Sequence, residues 1–545
     1  MDVGEYDYII VGAGGAGCVL ADRLTANGRH SVLLIEAGAD DRVLGRGGRL
    51  LNSLIHIPAG FAATMHHPAL TWGYTSEPAP EAGNRSFKVT RGRVVGGSTS
   101  INGLLYVRGT RGDYDGWRDA GCAGWGWDDV LPYFRKSERQ SRGDDGWSGR
   151  DGPIRVSEAR MFPVVDKVLD AAEALGMPRA ATFNDGTQFG GGPVQTTIHG
   201  GRRQSTSVAY LHRARKRANL HLVTNAQVSR IGFDGKRAST VAFTRDGRAE
   251  IATARGEVLL SAGAIGSPHL LQLSGIGDAA GLSALGIDAV HHAPGVGENL
   301  QDHYFTRAAW QLAPGVLSIN RDARPPRIFW EIVRYLFASK GLLAGAASQA
   351  FLYARSSPDE READLQISIA PASVGELLPG AKRIQPDHEP GLTMAACQLR
   401  PASRGYVRAM SADPQQQPAI QMNFLAEEYD QQAHIQGMRL VRRLAEHPLM
   451  APYILKENVP GAAYVNDSQL LSYIRQKGST VYHPVGTVRM GADDASPLDA
   501  RLKVRGVEGL RVVDASIMPK LVSGNTHSPT VMIAEKASDL ILADR

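Results

Sequence analysis

The chain has 545 residues, of which 43% are hydrophobic and 21% are charged. This length exceeds what one hydrophobic core supports, so two or more domains are expected in a protein of ordinary soluble, globular composition. The formal net charge is only +5, and the basic residues are scattered among acidic ones. The densest basic run, residues 213–217, is explained better by a solvated helix face than by a nucleic-acid stripe. No nucleic-acid partner is expected.

The cysteines and the N-terminus predict a reducing compartment. The chain carries three cysteines, an odd and sparse set without a CxxC pair: Cys18, Cys122 and Cys397. This usage argues against a disulfide framework. Asp2, Glu5 and Asp7 occupy the place where a signal peptide would carry positive charge, so no signal peptide is expected. The sequence therefore predicts a cytoplasmic protein.

Two apolar stretches bear on membrane contact. Residues 258–277 carry no Asp, Glu, Lys or Arg, but their four glycines, three serines and one proline argue against a membrane span. Residues 328–347 are interrupted by Glu331, Arg334 and Lys340 and are typical of an amphipathic helix. We expect at most peripheral contact of this segment with the inner face of the membrane.

The N-terminal segment combines two apolar strands with a glycine-rich turn. Residues 6–11 (YDYIIV) and 31–35 (SVLLI) predict strands, and GAGGAG follows the first of them, ahead of a helical stretch. Gly12 would allow the tight turn, Gly14 would let backbone approach a pyrophosphate, and Gly17 would let the helix pack closely on the strand. This order of strand, turn, helix and strand predicts a dinucleotide-binding unit.

The unit leaves the choice of dinucleotide open. Its pyrophosphate would sit at the helix N-terminus, where unpaired N–H groups and the helix dipole favour an anion. Glu36 closes the second strand, where a carboxylate can accept hydrogen bonds from ribose hydroxyls. An acid at this position fits the ribose of NAD and that of FAD equally well.

Later segments complete the same sheet from distant parts of the chain. Apolar runs predict further strands and a closing helix at 221–224, 228–233, 257–263, 510–514 and 529–542. The stretch between about 310 and 475 has a different sequence pattern: short apolar runs alternate with clusters of turn residues, and helices are predicted near its end. It predicts an inserted antiparallel sheet with helices on one face, which would cover the cofactor's reactive ring.

Five blocks, spread over nearly the whole length, share their pattern with a known family. They are the N-terminal unit, 92–103 (GRVVGGSTSING) with Arg108-Gly109 and Asp113-Tyr114-Asp115 after it, 263–277 (GAIGSPHLLQLSGIG), 294–303 (PGVGENLQDH), and the pair 482–487 (YHPVGT) and 523–526 (SGNT). In this order they resemble the glucose–methanol–choline (GMC) oxidoreductases, flavoproteins that oxidise alcohols. The chain looks most like the bacterial choline dehydrogenase and medium-chain alcohol dehydrogenase branch.

The resemblance implies an α/β fold, α+β overall, in which a Rossmann-like FAD-binding domain carries an inserted substrate domain of antiparallel sheet and helices. The FAD-binding domain would be discontinuous, over residues 1–160, 205–310 and 476–545. The substrate-binding domain would comprise residues 161–204 and 311–475.

FAD is the cofactor that the resemblance implies. Some members of the family attach FAD through a histidine in the second block, but this chain has Ile101 there, so noncovalent FAD is expected. The positions expected to bind it are Gly12, Gly14, Ala16, Gly17, Glu36, Ala37, Trp72, Arg93, Gly97, Ser98, Asn102, Gly103, Leu104, Val228, Ala262, Asp514, Ala515, Asn525 and Thr526.

The C-terminal block carries the residues expected to perform the chemistry. His483 matches the family's catalytic histidine, and histidine suits a general base because its ordinary pKa lies near working pH. Asn525 matches the second active-site position, and its amide can both donate to and accept from a substrate oxygen. Relatives often have asparagine at the position of His527, which would either titrate near the flavin or point away from the site.

The remaining histidines are expected to be structural. His303, in the fourth block, is expected near the cofactor without a chemical role, and His269 is expected to pack within the third block. The pair His66-His67 is expected on a loop surface. No spacing of His, Cys, Asp and Glu predicts a metal site.

The activity that the resemblance implies is FAD-dependent oxidation of an alcohol, preferably primary, to an aldehyde. A base would take the hydroxyl proton, hydride would pass to flavin N5, and the electrons would go to a quinone-type acceptor or O2. The main alternative is a cyanohydrin lyase on the same scaffold, because some relatives cleave cyanohydrins. A protein that holds FAD without catalysis and an NAD-only dehydrogenase are disfavoured, since each leaves some of the blocks without a role.

Overall fold

The computed structural model describes residues 1–42, 49–142, 145–374 and 387–544. Within these residues, a seven-stranded sheet, here called the first sheet, surrounds the N-terminal strand Asp2–Val11. In spatial order its strands are Ala226–Asp234, Arg237–Arg245, Arg248–Leu260, Asp2–Val11, Val32–Ile35 and Leu220–Val223, with Leu510–Val512 also paired to Arg248–Leu260.

The centre of the first sheet is parallel and is covered on both faces. Strand Asp2–Val11 lies between Arg248–Leu260 and Val32–Ile35, parallel to both. Every residue of Val32–Ile35 is buried, as expected for a parallel strand with helices on both sides. This burial explains why Val32–Ile35 has an uninterrupted apolar sequence instead of an alternating pattern.

The second sheet is antiparallel and is drawn mainly from the region predicted as an insertion. In spatial order its strands within the described residues are Ile454–Val459, Tyr304–Leu312, Gly391–Gln398, Leu365–Ala370, Ala350–Ala354 and Gly190–Pro193, with Ser479–Thr480 paired to Tyr304–Leu312. The fold class is therefore confirmed. The exact division into domains stays a prediction, and the boundary predicted at residue 310 falls inside strand Tyr304–Leu312.

Successive side chains of the second sheet point to opposite faces, because strands have a period of two residues. Ile367, Ile369, Met394 and Ala396 pack into an apolar core with side chains of helix Glu428–Glu446. The intervening residues face the other way and line a cavity; they are Phe305, Phe351, Gln366, Ser368, Ala395 and Cys397. The helices thus cover one face, and the other face is left to form a wall.

The helices and the smaller strands fill the space around the two sheets. The α-helices of eight or more residues are Gly17–Thr25, Arg49–His56, Arg111–Asp119, Trp127–Ser137, Pro163–Ala174, Gly263–Leu273, Arg327–Ala338, Glu428–Glu446, Asp467–Lys477 and His527–Ala543. Shorter helical turns lie at Pro58–Gly60, Phe61–Thr64, Pro80–Ala82, Gly97–Ser100, Ser207–Leu211, His212–Ala214, Ala279–Ala284, Ile319–Asp322, Leu342–Ala344 and Ala515–Ile517. Small sheets are formed by Glu138–Gln140, Ile154–Glu158 and Gln195–Thr196, by Ile198–His199 and Arg202–Arg203, by Ile276–Gly277 and His291–His292, and by Tyr406–Arg408 and Ala419–Gln421.

One local prediction was wrong, and another holds only in part. The helix expected over 328–347 ends at Ala338, because Ser339 adopts a left-handed conformation with φ of 51°. The basic run 213–217 is solvated only in part, with Arg213 and Lys216 exposed and Arg215 and Arg217 half-buried. Arg213 and Arg217 both pair with the buried carboxylate of Asp22, so this run ties the first sheet's helices together.

No helix in the described ranges is both long enough and apolar enough to cross a bilayer. The three cysteines are buried and unpaired.

Candidate active site

The carboxyl ends of the parallel strands meet along one edge of the first sheet, where open α/β sheets bind their ligands. Gly12, Glu36, Ala262 and Asp514 each follow the end of one of these strands closely. All four line a cavity of about 990 Å³, which is near the upper end of the size range for small-molecule sites. A cavity of this size suits an elongated ligand such as a dinucleotide.

The glycine turn at this edge has the geometry that its sequence predicts. Gly12 has φ of 99°, a conformation that favours glycine, and a Cβ there would lie 2.6 Å from the carbonyl oxygen of Ser261. A Cβ on Gly17 would lie 1.9 Å from the carbonyl oxygen of Gly12. The turn and the following helix can approach each other only because both positions lack a side chain.

Glu36 is held in place by the backbone around the turn. Its carboxylate accepts hydrogen bonds from the N–H groups of Ala13 at 2.9 Å and Gly38 at 2.8 Å. Burial raises the pKa of Glu36 to about 7, although these hydrogen bonds and the nearby Arg93 act in the opposite direction. The side chain lines the cavity, a position compatible with the ribose contact, which stays a prediction.

The structure brings nearly all of the predicted cofactor residues into one cavity. Gly17 is the exception among the predicted positions, because it packs against the strand as its role requires. The cavity is lined by Gly12, Gly14, Ala16, Glu36, Ala37, Trp72, Arg93, Gly97, Ser98, Asn102, Gly103, Leu104, Val228, Ala262, Asp514, Ala515, Asn525 and Thr526. Ile101, which replaces a histidine attachment point, also lines it.

His483 and Asn525 line the same cavity and are joined to each other. The Asn525 amide nitrogen lies 3.1 Å from Nε2 of His483. Nδ1 of His483 lies 3.0 Å from Nδ1 of His303, and Nε2 of His303 lies 3.0 Å from the carbonyl oxygen of Leu399. Four groups therefore form one hydrogen-bonded chain that ends at the cavity.

The carbonyl at the buried end of this chain decides where each proton lies. The Leu399 oxygen can only accept, so Nε2 of His303 carries a proton, and Nδ1 of a neutral His303 must accept. His483 therefore donates from Nδ1, and its unprotonated Nε2 accepts from the Asn525 amide with its lone pair. This is the tautomer that a general base needs, with the basic nitrogen at the cavity.

Burial keeps both imidazoles neutral. It lowers the pKa of His303 to about 4 and lowers the pKa of His483 well below its ordinary value, with further contributions from His303 and from the positive charge of Arg91. A neutral His303 is what the hydrogen-bond assignment requires. His483 is therefore unprotonated at neutral pH and ready to take a proton.

Two groups behind His483 were missed by the sequence analysis. The Asp302 carboxylate accepts the backbone N–H of His483 at 2.7 Å, and the Arg91 guanidinium donates to the carbonyl oxygen of Tyr482 at 2.5 Å. They hold the loop that carries the base. Both residues lie in or beside the family blocks, but nothing in their spacing shows that they converge on residue 483.

The other histidines take several positions. His527 lines the cavity, and both of its ring nitrogens are buried without a partner among the described residues; burial lowers its pKa to about 4. His269, expected to pack inside the third block, also lines the cavity wall. His66 is exposed and His67 half-buried. No group of three or more His, Cys, Asp or Glu in the described ranges could hold a metal ion.

Buried polar atoms along the cavity test whether FAD fits. Asn525 Oδ1, Arg93 Nε and both nitrogens of His527 have no hydrogen-bond partner within the described part of the chain. A buried polar group without a partner costs about 1–3 kcal/mol, so these atoms are expected to contact a bound polar group. Phosphates, hydroxyls and a flavin ring supply such groups along the length of the cavity, and the residues present therefore fit FAD.

The cavity runs along the strand ends, where a dinucleotide would bind, and it also contains the neutral imidazole of His483. Family models for GMC oxidoreductases match residues 6–305 and 401–534. The chain belongs to the GMC oxidoreductase family, and it is an FAD-dependent enzyme that acts on alcohols. Its FAD is bound without a covalent link, the usual mode in this family.

Relatives of known activity align over nearly the whole chain. The mitochondrial choline dehydrogenase of Mus musculus is 39% identical over 98% of this chain and 89% of its own length. An alcohol dehydrogenase [acceptor] of Pseudomonas putida is 38% identical over 98% of this chain and 96% of its own. A structure of the formate oxidase of Aspergillus oryzae RIB40 superposes with a TM-score of 0.91 at 25% identity, covering 100% of this chain and 99% of that one.

Proposed function

We propose that this enzyme oxidises an uncharged primary alcohol to an aldehyde. The observation that carries the proposal is the unprotonated Nε2 of His483 at the cavity, whose lone pair accepts from the Asn525 amide. The substrate hydroxyl takes the place of this amide hydrogen at Nε2. Nε2 takes the hydroxyl proton, and the carbinol hydrogen leaves with its electron pair as the carbonyl forms. Bound FAD supplies the hydride acceptor. The alcohol thereby loses one proton and one hydride, which balances its two-electron oxidation.

Asn525 orients the substrate oxygen. Once the substrate hydroxyl has replaced its bond to His483, the Asn525 amide nitrogen can donate to the oxygen that gains charge in the transition state. Its Oδ1 has no partner among the described residues and can accept from a second polar group. His483 and Asn525 are thus the residues expected to touch the reacting alcohol.

The walls of the cavity favour a neutral substrate. The described lining residues from the second sheet are aromatic, small or uncharged polar side chains, and none of them is Asp or Glu. A quaternary ammonium ligand is usually bound by aromatic rings, with a cation–π contribution. Phe305 and Phe351 could supply such rings, but no carboxylate among the described lining residues of the second sheet adds its negative charge to them. We therefore favour an uncharged alcohol over choline, in a cytoplasmic enzyme whose electrons pass to a quinone-type acceptor or to O2.

Anaerobic flavin bleaching tests the proposal. Mixing the FAD-loaded enzyme with a panel of aliphatic, aromatic and polyol alcohols should remove the oxidised flavin absorbance for primary alcohols, with choline slower. Reoxidation by O2 and by a soluble quinone then identifies the acceptor. Cleavage of a cyanohydrin without bleaching by any alcohol would contradict the proposal and favour the lyase.

His303 is expected to act as a positioning residue for His483. Replacing His303 by leucine removes the acceptor of the His483 Nδ1 proton, so the basic nitrogen no longer faces the cavity in every molecule. We expect flavin reduction to slow by roughly 10²-fold, less than the ~10⁴-fold loss that follows a misplaced tautomer in a serine-protease triad. Stopped-flow reduction under saturating alcohol measures this effect.

A conservative variant separates positioning from packing. His303→Asn keeps an acceptor on a short side chain near Nδ1 and should recover part of the rate, although it leaves more empty volume than leucine does. Equal rates for the leucine and asparagine variants, with FAD bound in both, would show that His303 serves packing alone.

A further inference from the structure

Helix Arg327–Ala338 carries a large apolar surface that the rest of the described chain does not cover. None of its residues is buried. Its exposed side chains include Phe329 (61%), Trp330 (72%), Leu336 (72%) and Phe337 (88%). Contiguous exposed apolar residues of this size mark an interaction site, because water exposure of such a patch is unfavourable. The exposed apolar face of this helix is therefore expected to bind another molecule or surface.

The charges around this helix favour an anionic occupant. Arg327, Arg334 and Lys340 are exposed. Glu331, the acid within 327–340, is turned inward, since its carboxylate accepts the N–H of Leu342 at 2.6 Å and lies 3.5 Å from Arg334. The outward surface thus combines large apolar side chains with basic ones.

The helix is hydrogen-bonded to the turn at Gly201, and the chain that follows the helix reaches the wall of the active-site cavity. The hydroxyl of Tyr335 donates to the carbonyl oxygen of Gly201 at 3.0 Å. Beyond the helix, the N–H of Ala347 donates to the carbonyl oxygen of Gly103 at 3.3 Å, and both Ala347 and Gly103 line the cavity. The chain that continues from this helix thus contributes to the cavity wall.

We propose that helix Arg327–Ala338 docks on an anionic lipid surface. Aromatic side chains such as Trp330 are favoured at the boundary between headgroups and acyl chains. Basic residues beside an interfacial helix attract anionic lipids. A second copy of the chain fits less well, because a two-fold interface would bring the same basic residues of both copies together.

Docking would hold the enzyme at the lipid phase, where apolar alcohols and quinones dissolve. This consequence rests on the proposed function, whereas docking itself does not. Vesicle binding tests the docking, and flavin bleaching tests the proposed function. A negative result in one experiment leaves the other proposal standing.

Co-sedimentation of the FAD-loaded enzyme with vesicles tests the proposal. We expect binding to vesicles of phosphatidylcholine mixed with phosphatidylglycerol, weakened by salt, and little binding to phosphatidylcholine alone. The double variant Leu336→Glu with Phe337→Glu should partition at least about tenfold less, because two apolar side chains that would enter the lipid become negatively charged. Both sites are exposed, so folding and bleaching by a soluble alcohol should be unchanged.

A matched variant controls for added charge. Leu455 and Val465 are 57% and 71% exposed and lie outside this helix, and Leu455→Glu with Val465→Glu should bind vesicles nearly as well as the wild type. Equal loss in both double variants, or no loss in either, would overturn the proposal. So would a wild-type dimer in sedimentation velocity that only the Leu336→Glu, Phe337→Glu variant dissociates, because the occupant would then be a second copy.

Discussion

Replacing His483 by alanine is expected to lower the rate of flavin reduction by roughly 10²–10⁴-fold, the range typical of a lost general base. FAD should stay bound, because the residues predicted to hold its pyrophosphate and ribose belong to the first sheet. The variant keeps Asn525 but loses the nitrogen that takes the hydroxyl proton. Anaerobic stopped-flow measurement of flavin reduction by the best primary alcohol reads out the effect directly.

The pH dependence of the wild type gives a second measure of the same base. Because the pKa of His483 is lowered well below its ordinary value of 6.5, the base is already unprotonated at that pH. The reduction rate should therefore be constant through pH 6.5 and fall only in more acidic solution. If His483→Ala reduces its flavin at the wild-type rate, His483 is not the base. A wild-type rate that already decreases on acidification before pH 6.5 is reached would also contradict this role.

Replacing Gly14 by leucine is expected to give a folded protein without FAD. A Cβ at Gly14 meets only the carbonyl oxygen of Ser261, at 3.9 Å, so the protein itself tolerates a side chain. The side chain would extend into the cavity where the pyrophosphate is expected. Overpacking costs about 1–3 kcal/mol even where neighbours can adjust, which weakens binding by about 10²-fold at the upper end. The visible flavin spectrum of the purified variant shows the result.

Gly116 provides the matched control for this substitution. It lies in helix Arg111–Asp119, and a Cβ there meets nothing within 4 Å. Gly116→Leu should therefore keep its FAD and its yellow colour. Full flavin content in Gly14→Leu, at the same thermal stability as the control, would be inconsistent with a pyrophosphate at the glycine turn.

The parts of this fold that sequence predicts well are those whose signals lie close together. The unit from strand Asp2–Val11 to Glu36 is readable because a glycine turn, a helix and an apolar strand follow each other within a short stretch. Its long-range partners are not readable in this way. Pairing of Val258 with Leu510 is decided by packing between distant segments, and the sequence pattern alone identifies both strands without their register.

In the site, too, local sequence patterns can be predicted and contacts between distant residues cannot. His483 and Asn525 were found through family blocks, but the role of His303 was not, because its contact with His483 joins residues 180 positions apart. The helix expected over 328–347 was too long, since apolar content does not reveal the left-handed turn at Ser339. Apolar content also does not reveal that the helix packs few of its side chains inside the protein.

The hydrogen-bonded chain from His483 through His303 to Leu399 restricts how a proton can leave the site. Its inner end is the backbone carbonyl oxygen of Leu399, which can accept a hydrogen bond but cannot take up a proton and pass it on. A proton received by His483 can move at most to His303 and must then return. A proton on His483 or His303 therefore cannot pass into the protein interior along this chain, and it has to leave through the cavity. Release of the proton is thus tied to whatever opens that cavity to water, and enzyme held at a lipid surface would discharge its protons beside that surface.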